Sequence, residues 1–263
     1  MNINFQPTNY NNKQISPNFK AIPLAQYKYL NDKDKNVIVY ELEQRDTDYL
    51  KYISDNIDGF YRRHDISDDS TKQVVKEAVD ASMEILNNEQ THPDSKSKVL
   101  LALSDKEPSA ILIGNVLKTD KNGYLHYSSR KNHSKDETEL DWLATWNKNI
   151  LGEGKVIVDE YFHTLAKDGF KQVYVRSEIP EKSFAMGFYE KMGFEPLSDE
   201  QREIQRKNDN GYIIGDYDAL EDNIIPMKAT TSDIDRIMKL RDKELKRKPI
   251  ENTFSVSLPF KEL

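Results

Sequence analysis

The chain has 263 residues, 37% of them hydrophobic and 32% charged, which suits one main domain with a substantial core and polar extensions. It contains no cysteine, which excludes disulfides, thiolate metal sites and a cysteine nucleophile, and its five histidines lack a two-histidine ligand spacing, so no metal is expected. A net charge of -7 argues against nucleic acid as a partner but is compatible with a cationic one, and with neither a leader-like start nor a window of membrane-spanning length the protein is expected to be cytoplasmic, with no membrane partner.

Residues 1–30 are rich in Asn, Gln, Pro and Ser and carry no sustained period, which predicts a polar arm, disordered or loosely docked. Residues 36–44 (NVIVYELEQ) read as the first strand. Asp46 then stands as the candidate cap of a helix whose Tyr49, Leu50, Ile53, Ile57 and Phe60 recur at three- and four-residue spacing. A second helix over 68–88 is written in Val74, Val75, Ala78, Met83 and Leu86. The apolar runs 99–103 and 110–117 flank SDKEP and predict an antiparallel hairpin, which residues 124–127 extend. The polar loop 128–137 holds His133, read as a solvated histidine.

Residues 138–146 return to sheet and lead into Gly152 and Gly154. The next segment places Val158, Phe162, Leu165 and Ala166 on one helical stripe, Gly169 suits a left-handed C-cap, and Val173 and Val175 alternate in a short strand. Parallel strands joined by a helix take a right-handed crossover, so the glycine turn falls at the carboxyl end of the first strand. Open α/β sheets bind ligands at that end, and the free N–H groups of a helix start suit an anion.

After the next helical stretch, residues 195–206 are polar, and 212–214 and 224–228 read as closing strands, with Pro226 favouring an edge or a bulge. Thr231 or Ser232 caps a predicted C-terminal helix with an apolar stripe of Ile234, Ile237, Met238 and Leu245 and a basic end at Lys243, Lys246, Arg247 and Lys248. That helix packs on its own domain or forms a contact with a partner or a second copy. Phe254, Val256 and Leu258 alternate as in a strand able to join a sheet edge. The expected division is an arm over 1–30, a domain over 31–230, and a helix and tail over 231–263.

Two motifs at the right separation carry a family resemblance. Asn149-x-x-Gly152-x-Gly154 resembles the acyl-CoA loop of the GNAT superfamily, the Gcn5-related N-acetyltransferases, and Phe188-Tyr189-Glu190-Lys191-Met192-Gly193-Phe194 resembles its FYEKLGF signature. The resemblance covers about residues 36–229 and implies an α/β fold, a mostly antiparallel sheet with a central parallel pair and helices on both faces. It implies acetyl-CoA, or another acyl-CoA, as co-substrate. The backbone at Asn149, Leu151, Gly152, Glu153, Gly154 and Lys155 would hold its pyrophosphate, and Leu143 and Ala144 would meet the pantetheine amides. Lys182 stands where the family often has asparagine, and it or Lys155 could offset the Glu153 charge. Tyr189 matches the family's general acid. For the base, Glu139 and then Asp141 are chosen, because both lie on the strand leading to the turn and strict alternation gives them one face. Two functions are consistent with this resemblance: N-acyl transfer to a small amine or to a peptide or lysine amine, and a non-catalytic GNAT-fold module that binds through its terminal extensions.

Overall fold

The computed structural model describes residues 20–29, 36–64, 69–88, 97–116, 137–146, 152–178, 185–200, 224–230 and 245–251. They form one sheet from nine strands: β1 Ile22–Tyr29, β2 Asn36–Glu41, β3 Lys98–Ser104, β4 Glu107–Val116, β5 Glu137–Thr145, β6 Gln172–Glu178, β7 Glu195–Pro196, β8 Ile224–Thr230 and β9 Leu245–Pro249. The order across the sheet is β7-β8-β6-β5-β4-β3-β2-β1-β9. Every pairing is antiparallel except that of β5 with β6. Helices α1 Thr47–Arg63, α2 Asp69–Asn88, α3 Glu153–Lys167 and α4 Ala185–Lys191 cover the sheet, as expected from the resemblance.

Both faces of the central strands are buried, which explains their nearly continuous apolar runs. Leu100, Ala102, Ala110 and Leu112 point to the layer with α3 and α4, while Val99, Leu101, Leu103 and Ile111 point to α1 and α2. Each such side chain, fully buried, contributes about 1.5–3 kcal/mol relative to exposure. Asp105 and Lys106 both have positive φ, 50° and 74°, as a two-residue hairpin turn between β3 and β4 requires. Helix α1 buries Tyr49, Leu50, Ile53, Ile57 and Phe60 as its spacing predicts. In α2 the stripe is shifted: Val75, Ala78, Val79 and Leu86 are buried and Val74 is exposed. Helix α3 lies across the sheet so deeply that most of its residues are buried, although Ala166, read as part of its stripe, is exposed at the end. The turn after it closes with Phe170 N–H on Leu165 O and Gly169 N–H on Ala166 O.

Three expectations are corrected. The arm reading fails for Ile22–Tyr29, which is a strand in register with both β2 and β9 and buries Ala25 and Tyr27. Leu245, Lys246, Arg247 and Lys248, read as the end of a C-terminal helix, lie instead in β9, Leu245–Pro249, beside β1, while residues 231–244 lie outside the described residues. Asp46 accepts backbone N–H groups of Lys20 and Glu43 at 3.0 Å each, so its carboxylate ties the start of β1 to the chain after β2 rather than capping α1. Residues 124–127, 128–136, 212–214 and 254–258 lie outside the described residues. Pro226 sits in β8 beyond the two residues that β7 pairs, an edge position as expected.

A buried charged cluster fastens the two outer strands to α3. The Tyr27 hydroxyl lies 2.8 Å from Asp159 Oδ2 and 2.9 Å from Glu160 Oε2, its one proton shared between them. Arg247 of β9 donates twice to Glu160, Nε at 2.8 Å and Nη2 at 2.9 Å. A bidentate guanidinium–carboxylate pair of this kind is among the strong polar contacts. Among the described residues, no helix is long and apolar enough to cross a membrane, and no group of three or more His, Asp or Glu is placed to hold a metal ion.

Candidate active site

The site begins where two parallel strands part. Register between β5 and β6 runs from Glu137↔Gln172 to Leu140↔Val175 and stops, although β5 continues to Thr145 and β6 to Glu178. On its other side β5 carries a bulge: Ile113 pairs with Trp142 and Gly114 with Leu140, which leaves Asp141 as the extra residue. The bulge turns the strand over. Leu140 belongs to the α3 layer, while Trp142, Ala144 and Trp146 belong to the α1–α2 layer and Leu143 again to the α3 layer. Strict alternation would have kept Leu140, Trp142 and Ala144 together. The shared face expected for Glu139 and Asp141 is therefore corrected, because an extra residue breaks the two-residue period between them. Glu139 is fully buried, and Asp141 is half-buried.

At the carboxyl end of β5 stands the glycine turn. Gly152 has φ of 109°, a conformation that L side chains rarely adopt, and a Cβ there would come within 2.8 Å of the Tyr29 ring. The turn opens α3 directly, with Val156 N–H donating to Gly152 O at 3.0 Å. Gly154 faces the end of β5 and α4: a Cβ would stand 3.4 Å from Thr145 Cγ2 and 3.5 Å from the Phe188 ring. A side chain at 154 would therefore start to fill the gap between strand and helix. Glu153, where the motif usually has an apolar residue, is 2% exposed and takes that apolar role in space. The helix start favours its carboxylate, and its charge adds to burial in pushing the Tyr29 phenol above its ordinary range. Lys155 is half-buried on the same turn.

The third wall is α4. Its FYEKMGF motif has a backbone reason as well as a chemical one. Gly193 has φ of 88°, Phe194 N–H donates to Tyr189 O, and Gly193 N–H donates to Glu190 O, each at 3.0 Å. This termination brings the residue after the glycine back onto the last turn, and Phe194 meets Tyr189 edge-on with ring centroids 5.5 Å apart. Phe188 meets the other side of Tyr189 at 5.3 Å. Tyr189 is 8% exposed, and burial pushes its phenol well above the ordinary range, so it holds its proton at any physiological pH.

Of the residues read as the site, Leu143 and Tyr189 share the α3 layer, Ala144 lies in the α1–α2 layer, and Gly154, with Gly152, Glu153 and Lys155 on the same turn, stands between Thr145 at the end of β5 and Phe188 of α4. Asn149, Leu151 and Lys182 lie outside the described residues. Three residues at the site were not singled out from the sequence. Phe188 stood within the recognised motif, Thr145 at the end of the recognised strand, and Tyr29 in a segment read as an arm, where nothing pointed to it.

No family model matches the sequence, and no curated protein matches it. Solved structures do resemble it. They include an uncharacterized protein from Bacillus halodurans (12% identity, TM-score 0.49, covering 85% of this chain and 99% of that one). The PaiA N-acetyltransferase from Thermoplasma acidophilum, in complex with coenzyme A, shows 14% identity and a TM-score of 0.41 over 74% of this chain and 98% of its own. An aminoglycoside 6'-acetyltransferase type Ii shows 16% identity and a TM-score of 0.40 over 73% and 96%. Among the described residues, the mostly antiparallel sheet, its one parallel pair and the helices on both faces make the GNAT fold.

Proposed function

We propose that the protein is an acyl-CoA-dependent N-acyltransferase that transfers an acyl group, acetyl in the simplest case, to the amine of a small molecule or of a peptide or lysine. The observation that carries this reading is the end of β5–β6 pairing at Leu140↔Val175 while both strands run on, with the glycine turn after β5 and Phe188 of α4 close to Gly154. Backbone N–H groups of the first turn of α3 suit the pyrophosphate, and β5 beyond the bulge, paired with β4 on one side and among the described residues with no strand on the other, suits the pantetheine amides. Glu139, or water it orders, takes the proton of the ammonium. The free amine attacks the thioester carbonyl, a C–N bond forms and the C–S bond breaks, and Tyr189 protonates the departing thiolate. The Tyr189 phenol carries its proton at neutral pH, as a donor to the thiolate must.

A second reading, a non-catalytic module of the same fold, is favoured by one observation. Glu153 puts a carboxylate into the first turn of α3, and like charges repel. Calorimetry with acetyl-CoA and thiol release across an amine panel test both. Binding with turnover supports the enzyme, and Tyr189→Phe is then expected to lower the rate on the order of 100-fold to 10,000-fold at nearly unchanged acetyl-CoA affinity. Equal turnover in wild type and variant would remove Tyr189 from the mechanism, and no acetyl-CoA binding at all would favour the module. Gly154→Val, in a variant shown to be folded, should weaken acetyl-CoA binding; unchanged affinity would place the ligand elsewhere.

A further inference from the structure

The bulge in β5 is held from outside the two strands that form it. Tyr161 of α3 is fully buried, and its hydroxyl lies 3.0 Å from Thr138 Oγ1 and a longer 3.4 Å from the carbonyl oxygen of Glu139, both on β5 just before the extra residue. Donation to that carbonyl leaves the phenol oxygen free to accept from Thr138. The same hydroxyl and the ring edge that carries it fill the notch that Gly114 leaves in β4: a Cβ at 114 would collide with the hydroxyl oxygen and with two ring carbons. Gly114 is the residue at which pairing slips, opposite Leu140. One phenol therefore engages both strands at the slip, one by hydrogen bonds and one by shape. Burial opposes its ionisation, so the donor persists across the ordinary pH range.

We propose that Tyr161 is a positioning residue for the acyl-CoA cleft: its hydroxyl locks the β5 bulge against Gly114 and so holds the strand in the turned-over course that parts it from β6. This rests on the acyltransferase reading for its ligand, but not for its geometry. Without the hydroxyl the ring still fills the notch at Gly114, but the bulge loses its hydrogen-bonded anchor, so β5 is free to fluctuate toward regular pairing, with Leu143 and Ala144 displaced from the cleft.

The test compares Tyr161→Phe with Tyr49→Phe, which removes another buried phenol hydroxyl from α1, on the opposite face. Two quantities are measured: amide exchange at residues 140–143 and acetyl-CoA affinity by calorimetry. Tyr161→Phe is expected to speed exchange at 140–143 beyond the control and to weaken acetyl-CoA about tenfold. Gly114→Ala with Tyr161 intact drives its methyl into the hydroxyl and the ring edge and so should displace the ring, with faster exchange at 140–143 and weaker acetyl-CoA binding as in Tyr161→Phe. If Tyr161→Phe does not fold, Thr138→Val removes the partner hydroxyl and serves the same comparison. Wild-type exchange at 140–143 overturns the proposal, and so does faster exchange with unchanged affinity or lost affinity with unchanged exchange. Should the wild type bind no acetyl-CoA, the acyltransferase reading falls, and exchange at 140–143 alone decides whether Tyr161 holds the bulge.

Discussion

Three consecutive residues of α3 bury polar groups in two contrasting ways. Asp159 and Glu160 reach the outer strands, where the Tyr27 hydroxyl of β1 serves both carboxylates and the Arg247 guanidinium of β9 balances the charge of Glu160. Tyr161 reaches the inner strands and is satisfied by neutral partners, Thr138 and a main-chain carbonyl. The charged cluster is assembled from segments far apart in the chain and holds the sheet's outer edge. The neutral one is assembled from neighbouring strands and shapes the candidate site. The difference teaches how each should fail: removing Arg247 from the first leaves Glu160 as an uncompensated buried charge, whereas removing one member of the second leaves only an unmet hydrogen bond.

The largest stability effect is expected from Arg247→Met, which strands Glu160 at 2% exposure. Because the Arg247 side chain is itself 19% exposed, the loss belongs near the lower end for broken buried pairs, about 3 kcal/mol by urea unfolding. Adding Glu160→Gln should recover part of it; no recovery would mean that the pair contributes packing rather than charge. Tyr27→Phe comes next, at about 2 kcal/mol, since it withdraws one donor from two buried carboxylates.

A pH series sharpens the comparison. The phenols of Tyr27, Tyr29, Tyr49, Tyr161 and Tyr189 are all raised chiefly by burial, and that of Tyr40 is pushed up to about 12. Their folded pKa values exceed the unfolded one, so the stabilisation they provide is fully present below about pH 10 and is lost as pH rises toward the folded values. Each such phenol contributes a slope of about 1.4 kcal/mol per pH unit in that window. Alkaline unfolding followed by circular dichroism, with tyrosinate absorbance appearing only as the fold is lost, is the expected result. Tyrosinate forming in folded protein would show that these rings are wetter than the structure has them. Smallest of all, Thr138→Val should cost about 1 kcal/mol, with no change in the dependence of stability on salt.

Much of this was legible along the chain wherever the cause was local. The spacing of Tyr49, Leu50, Ile53 and Ile57 reported the buried face of α1, and Gly152, Gly169 and Gly193 each mark a turn that the backbone needs. What escaped depends on partners distant in sequence. β1 buries Pro23, Ala25 and Tyr27 at alternate positions, with a register shift between Pro23 and Ala25, but small and mixed residues among Asn, Gln and Lys do not read as a strand without β2 beside them. Leu245–Pro249 is extended because β1 offers an edge and Glu160 a counter-charge, neither of which is near it in sequence. Asp159 and Glu160 look like an ordinary solvated helix face for the same reason. At the candidate site the glycine turn and the tyrosine motif could be recognised, whereas the bulge at Asp141 could not, since a one-residue slip exists only in the pairing.

The pairing of β1 with β9 also bears on the order in which the molecule is made. It joins an early strand to a late one, so its loop closure costs more entropy than that of the β3–β4 hairpin, whose strands meet across two residues. The edge should therefore close after the local hairpin and helices have formed, and its contacts should be absent from the transition state for folding. Substitutions at Leu245 or Arg247 would then leave the refolding rate nearly unchanged and speed unfolding, making this outer strand the part of the sheet that governs how long the folded chain lasts.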